Sequence, residues 1–236
     1  MQSLNCPNCG ASLPAHTSKL NVGVCEFCGT TFRTSNTYTP EPIMGNLFLG
    51  ADFSKKPIPG WRLLNEAQLK LGSGMPPELH ASFESRAGLC DVMGSSGLFD
   101  NVDVGVTIKF LEGKTDWIYG GIFARYGAEG GYGFLISAQS SYKFGYYSKA
   151  EDGTLVWKDL MSWISHTALR SGLHESNRLR VICNGDRLKI YLNGVLATSM
   201  RDTRFEVGNI YVSLAPSKES NIVAAISDLQ LREVLE

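Results

Sequence analysis

The clearest chemistry in the chain belongs to four cysteines. Cys6 and Cys9 form one C-x-x-C pair, Cys25 and Cys28 form a second, and fifteen residues separate the two pairs. Four thiolates at this spacing can converge on one tetrahedral ion, and soft sulfur ligands at about 2.3 Å are the ligand set of zinc. Each C-x-x-C turn folds back so that both sulfurs reach the same ion. Pro7 restricts φ in the first turn, and Gly10 and Gly29 follow the two pairs, where a residue without Cβ lets backbone N–H groups approach the thiolates. The segment between the pairs can form a short hairpin that brings them together. Four thiolates fill the shell and leave no position for water or substrate, so the expected Zn2+ is structural. His16 lies between the pairs and reads as a surface loop residue, because the ligand count is already complete. A redox reading of C-x-x-C requires a βαβ pattern nearby, and the sequence shows none.

The run CPNCGASLP…CEFCGTTFR, about residues 4–33, resembles the zinc ribbons. Such ribbons bind nucleic acid in some proteins and brace domains or bind proteins in others. Here Lys19 and Arg33 are balanced by Glu26 and Glu41 across the first 46 residues. A nucleic-acid surface needs a basic stripe that this balance does not supply, so no nucleic-acid partner is expected.

The rest of the composition supports that exclusion. The 236 residues carry 22 basic and 23 acidic side chains, with no block of like charge. The N-terminus has no charged and apolar leader pattern, and no apolar run approaches the roughly 18 residues of a membrane span. The expectations are no membrane partner and a cytoplasmic address, where a reducing milieu favours metal over disulfide for paired cysteines. Glycine at 25 residues and aromatics at 10 % fit aromatic strands joined by tight turns.

The elements that must position any site are strands. Residues 1–33 form the expected ribbon, and residues 34–46, TSNTYTPEPIMGN, read as an extended linker because Pro40 and Pro42 disfavour helix and central-strand pairing. From residue 47 to 236, short apolar or alternating runs recur between turn residues. They include VDVGVTIKFL (102–111), WIYGGIFARYG (117–127), YGFLISA (132–138), YKFGYYS (142–148), NIYVSLA (209–215) and IVAAISDLQLREV (222–234). RLRVICNGDRLKIYLNG (178–194) holds two runs split by Asn184-Gly185-Asp186, a hairpin signal. Alternation there puts Leu179, Val181 and Cys183 on one face and Leu188, Ile190 and Leu192 on the core face of the next strand. Arg178, Arg180, Lys189 and Tyr191 then point away. WRLLNEAQLKL (61–71) suits either a helix or a kinked strand, and MSWISHTAL (161–169) can hold a helical turn. About a dozen strands with hairpin turns predict an all-β antiparallel sandwich or jelly roll that needs no disulfide.

The order of GWRL, FDNVDVGVTIKF, YGGIFARYG, GYGFLIS, ESNRLRVICNGDRLKIYLNGVLA and ISDLQL is similar to the concanavalin A-like, laminin-G-like jelly rolls over about residues 47–234. It is nearest to the bacterial branch related to 3-keto-disaccharide hydrolases. The resemblance implies two antiparallel sheets, one available for glycans or other ligands. It also implies an arginine in a GIFFRG-like strand, matched by Arg125, and an acid in a GYEVQI-like strand, where Phe134 stands instead. That substitution, and the lack of the E-x-D-x-E strand of the related glucanases, gives the expectation that the protein is not an enzyme and has no catalytic residues. Asp100, Asp103, Glu112 and Asp116 read as solvated charges at strand ends.

Binding has the better case. Aromatic faces stack on sugar rings, and a guanidinium donates paired hydrogen bonds. The candidate ligand residues are Trp117, Tyr119, Arg125, Tyr126 and Tyr132. Period-two alternation places Trp117, Tyr119, Phe123 and Arg125 on one face and Tyr126 on the other. The expected function is a non-catalytic binding module for a carbohydrate or other ligand, with a structural zinc ribbon. The alternatives are an intracellular protein-interaction scaffold and a sugar hydrolase or lyase.

Overall fold

A computed structural model describes residues 44–72, 75–85, 88–216 and 218–235, together with the two short strands 23–24 and 31–32. The chain divides into two compact units, Met1–Pro40 and Glu41–Glu236. In the first, β1 (Gly23–Val24) pairs antiparallel with β2 (Thr31–Phe32), Val24 opposite Thr31. The four cysteines expected to bind zinc lie outside the described residues.

The second unit is built of two antiparallel sheets. Its strands are β3 (Leu47–Gly50), β4 (Trp61–Leu63), β5 (Leu69–Leu71), β6 (Leu79–Phe83), β7 (Cys90–Ser95), β8 (Val102–Glu112), β9 (Tyr119–Gly127), β10 (Gly130–Ser137), β11 (Ser141–Lys149), β12 (Leu155–Ser165), β13 (Ser176–Asn184), β14 (Arg187–Leu192), β15 (Val195–Arg201), β16 (Asn209–Ala215) and β17 (Ile222–Arg232). One sheet has seven strands in the order β12-β11-β10-β9-β16-β7-β4. The other has eight, β15-β14-β13-β8-β17-β6-β5, and β3 adds to β17. Gly45 and Asn46, at the end of the expected linker, are already tied to the close of β17. Asn46 donates to the Glu233 carboxylate at 2.9 Å, and Arg232 donates to the Gly45 carbonyl at 3.1 Å.

The core lies between the sheets. Alternation supplies it: Val102, Val104, Val106, Ile108 and Phe110 from β8 face Ile122, Phe134, Ile136, Phe144 and Val212 from the other sheet, all buried. The β13–β14 hairpin turns through Gly185-Asp186, with Gly185 at φ 53°, a conformation glycine adopts without a Cβ penalty. Leu179, Val181, Cys183, Leu188, Ile190 and Leu192 join the core as their alternation requires. Burial pushes the Cys183 thiol up to about 12, so it packs as a small hydrophobe rather than a reactive thiolate.

Three local readings resolve in the structure. WRLLNEAQLKL is a kinked extended segment, in which β4 belongs to the seven-stranded sheet and β5 to the eight-stranded one. A 3-10 turn at Glu66–Gln68 carries the chain across. MSWIS is strand, and the turn comes after it, where the Leu169 N–H donates to the His166 carbonyl. Asp103 departs from the solvated reading. It is buried on the outer side of β8, accepting from Arg180 Nε at 2.8 Å and Nη2 at 2.6 Å. The Arg180 guanidinium also lies over the Tyr191 ring at 5.5 Å. A planar fork matched to a carboxylate makes that burial tolerable, a pairing across strands that no local spacing announces.

Candidate functional site: the outer face of the seven-stranded sheet

Because Ile122, Ala124, Tyr132, Phe134 and Phe144 point into the core, the alternate positions of β9–β11 face outward. That outer face is aromatic. Gly133 and Gly145 sit directly opposite each other on β10 and β11, and the Trp157 ring from β12 fills the space above them. A Cβ at either glycine would press on the indole, so these two glycines are required by close approach. The Trp157 indole N–H donates to Asp159. That hydrogen bond holds the Asp159 carboxyl below its ordinary range against the opposing effect of burial, with the nearby Lys143 assisting.

Lys143 stands between rings. Its Nζ is 4.8 Å from the centre of the Trp157 ring, 5.4 Å from that of Trp163 and 6.0 Å from that of Tyr119. Asp159 Oδ1 is 3.7 Å away. Tyr119 and Trp163 meet edge to face at 5.4 Å. Trp117 and Trp163 are 50 % and 39 % exposed, and with Tyr119, Asp116, Gln139, Ser137 and Ser141 they frame a groove of about 710 Å3. Gln139 donates to Asp116, and the Ser137 and Ser141 hydroxyls are hydrogen-bonded at 2.7 Å. The groove therefore offers two indole surfaces beside amide, hydroxyl and carboxylate groups.

A second cavity on the same face, about 240 Å3, is lined by Leu89, Asp91, Phe123, Tyr126, Tyr147 and Tyr211. Burial, followed by the Asp91 charge and the neighbouring phenols, pushes Tyr126 up to about 12. Burial also raises Tyr147 and Tyr119.

Of the residues singled out from sequence, Trp117 and Tyr119 lie in the groove and Tyr126 in the second cavity. Arg125 and Tyr132 do not reach the outer face. Arg125 has φ 52° and is only 2 % exposed. It occupies an irregularity in β9, where Asn209 opposes Tyr126 but Tyr211 opposes Phe123, leaving one extra residue on β9. This β-bulge breaks the alternation. Phe123 and Tyr126 consequently share the outer face, with ring centres 5.6 Å apart, and Arg125 turns inward. Its Nε donates to the Asp100 carbonyl at 2.8 Å, and its Nη1 donates to the carbonyls of Gly185 at 2.9 Å and Phe205 at 3.0 Å. Tyr132 is in the core, its hydroxyl donating to Asp202 at 2.6 Å and accepting from the Phe205 N–H at 3.3 Å. Both are structural ties between loops. The sequence reading missed Asp91, Lys143, Trp163 and Tyr211 as parts of this face. The signal available was the glycine in GYGF and in KFGYY, each leaving a slot for a large ring.

No family model matches the sequence, and no curated protein does either. Solved structures match the fold. A carbohydrate-binding module, CBM66 from Bacillus subtilis, superposes with a TM-score of 0.52 at 17 % identity, over 74 % of this chain and 96 % of that one. A β-glucanase from Bacillus licheniformis gives 0.55 at 12 %, over 79 % and 98 %. A glycoside hydrolase family 16 endo-glucanase from Bacteroides ovatus gives 0.57 at 12 %, over 78 % and 100 %. The fold is a concanavalin A-like jelly roll. At these identities the similarity concerns the path of the chain, and the jelly roll's chemistry must be read from its own residues. Among the described residues, no group of three or more His, Cys, Asp or Glu is placed to hold a metal ion. No helix among them is long and apolar enough to cross a membrane.

Proposed function

We propose that the jelly roll is a non-catalytic carbohydrate-binding module whose ligand lies in the groove framed by Trp117, Tyr119 and Trp163. The observation that carries this reading is the pair of exposed tryptophans beside Asp116, Gln139, Ser137 and Ser141. A sugar ring has an apolar face that stacks on an indole and a rim of hydroxyls that pairs with carboxylate, amide and hydroxyl groups. The similarity in fold to a carbohydrate-binding module and to glucanases supports the same ligand class. Two placements support a binding rather than a hydrolytic role. Arg125 donates to three backbone carbonyls, and Phe134, at the position of the acid in the hydrolase resemblance, stacks on Phe144 in the core.

The test is a glycan array followed by calorimetry on the hits. Trp117→Ala and Trp163→Ala are each expected to weaken binding by about tenfold or more while leaving the melting temperature within a few degrees, since both rings lie at the surface outside the core between the sheets. Absence of binding across a broad array by folded protein would remove carbohydrate from consideration.

For the N-terminal unit we propose a structural zinc held by Cys6, Cys9, Cys25 and Cys28. The β1–β2 pairing supports this, because residues 25–30, with one C-x-x-C, form the connection between the two strands. Elemental analysis should return one zinc per chain, and Cys9→Ser should lower that to well under one. A metal-free protein purified under reducing conditions would contradict the assignment.

A further inference from the structure

The second cavity has the composition of an aromatic cage. Phe123, Tyr126, Tyr147 and Tyr211 supply its rings, and Tyr126 meets Phe123, Tyr147 and Tyr211 at interplanar angles of 80°, 87° and 76°. Such steep walls present ring faces and edges to a common space of about 240 Å3. Among the described residues, Asp91 is the one acid lining it. The Asp91 Oδ1 accepts from the Ser213 hydroxyl at 2.6 Å, and among the described residues no Lys, Arg or His lies within ion-pair distance of that carboxylate. The charge of Asp91 contributes to the raised pKa of both Tyr126 and Tyr147, which places the carboxylate near both phenols.

The same face shows what such a box holds. Next to the cavity, sharing the Phe123–Trp157 and Tyr147–Trp157 contacts as a wall, Trp157, Trp163, Tyr119 and Asp159 surround the ammonium of Lys143. Three rings and one carboxylate hold a cation there by cation–π and ionic attraction. The Asp91 cavity repeats that arrangement with four rings and one carboxylate, and among the described residues no cationic side chain lines it.

We propose that the cavity formed by Asp91, Phe123, Tyr126, Tyr147 and Tyr211 is a binding site for an organic ammonium group. Ring quadrupoles attract a diffuse cation whose hydration is weak, and the carboxylate supplies the counter-charge. This inference does not depend on the carbohydrate reading, since the groove at Trp117 and Trp163 is a separate space.

The test is an NMR or calorimetric titration of the whole protein at low salt with choline, tetramethylammonium, and 3,3-dimethyl-1-butanol as the neutral analogue of choline. Saturable binding of the two cations is expected, with the neutral alcohol about tenfold weaker or more. Asp91→Asn, which keeps the shape and an acceptor for Ser213, should lower cation affinity about tenfold, and Tyr126→Leu is a second variant acting through the rings. Trp163→Ala should leave cation binding unchanged while weakening any glycan, so the two proposals fail separately. Further arms with trimethyl-lysine and glucosamine distinguish a methylated amine from an amino sugar as the source of the group. Equal affinity for choline and its neutral analogue, no saturable binding of either cation, or an unaffected Asp91→Asn variant would each overturn the assignment.

Discussion

Replacing Arg125 with methionine should lower the free energy of unfolding by about 3–5 kcal/mol. The guanidinium is buried and donates to the carbonyls of Asp100, Gly185 and Phe205, which belong to three separate loops. Each carbonyl left without a donor costs about 1–3 kcal/mol, and methionine replaces none of the three bonds. For a domain of this size, roughly 2–4 °C of melting temperature are lost per kcal/mol, so the expected drop is on the order of 10 °C. Arg125→Lys keeps the charge but not the fork and should fall between the two. Thermal unfolding followed by far-UV circular dichroism reads the effect. A variant that melts like the parent but loses a ligand would return Arg125 to the list of binding residues.

The second large effect concerns Phe134. The hydrolase resemblance asks for an acid at this position, so Phe134→Glu is the substitution that would restore it. The structure says it should instead unfold the protein. Phe134 is fully buried, and its ring stacks on Phe144 at 4.9 Å with an interplanar angle of 5°. Removing a buried phenylalanine side chain costs about 3–5 kcal/mol, and placing a carboxyl in its stead adds a desolvation penalty of several more. The sum is comparable to the entire stability of an ordinary domain, about 5–15 kcal/mol. The expected product is insoluble or lacks dispersed NMR signals, whereas Phe134→Leu stays folded at a cost of about 1–2 kcal/mol. A soluble, folded Phe134→Glu protein that hydrolysed a 3-keto-disaccharide would reverse the non-catalytic reading.

Much of the sandwich was legible because a half-buried strand repeats every two residues. VDVGVTIKFL, the β13–β14 hairpin with its Gly185-Asp186 turn, and the placement of Cys183 in the core follow from that repeat and from turn chemistry. The repeat holds only while the ladder is regular. At Ala124–Arg125 one extra residue enters β9, and every assignment beyond it changes face. Arg125 was therefore expected beside Phe123 and is instead turned inward, while Tyr126 was expected opposite Phe123 and lies against it. Tyr132 failed for a different reason: alternation sends it inward, and aromatic character alone does not separate a core ring from a ligand platform.

What the amino-acid order determined by itself is local: the paired C-x-x-C spacing, the all-β class, the hairpin turns and the core faces of regular strands. Each depends on residues a few positions apart, where backbone geometry alone sets which groups meet. Only the tertiary structure decided the two aromatic boxes. Asp91 on β7, Phe123 and Tyr126 on β9, Tyr147 on β11 and Tyr211 on β16 are brought together by the strand order of one sheet, as are Lys143, Trp157 and Trp163 beside them on the same face. Strand order depends on which pairings bury the most apolar surface across the whole domain, and that sum has no signature in any short stretch of the chain.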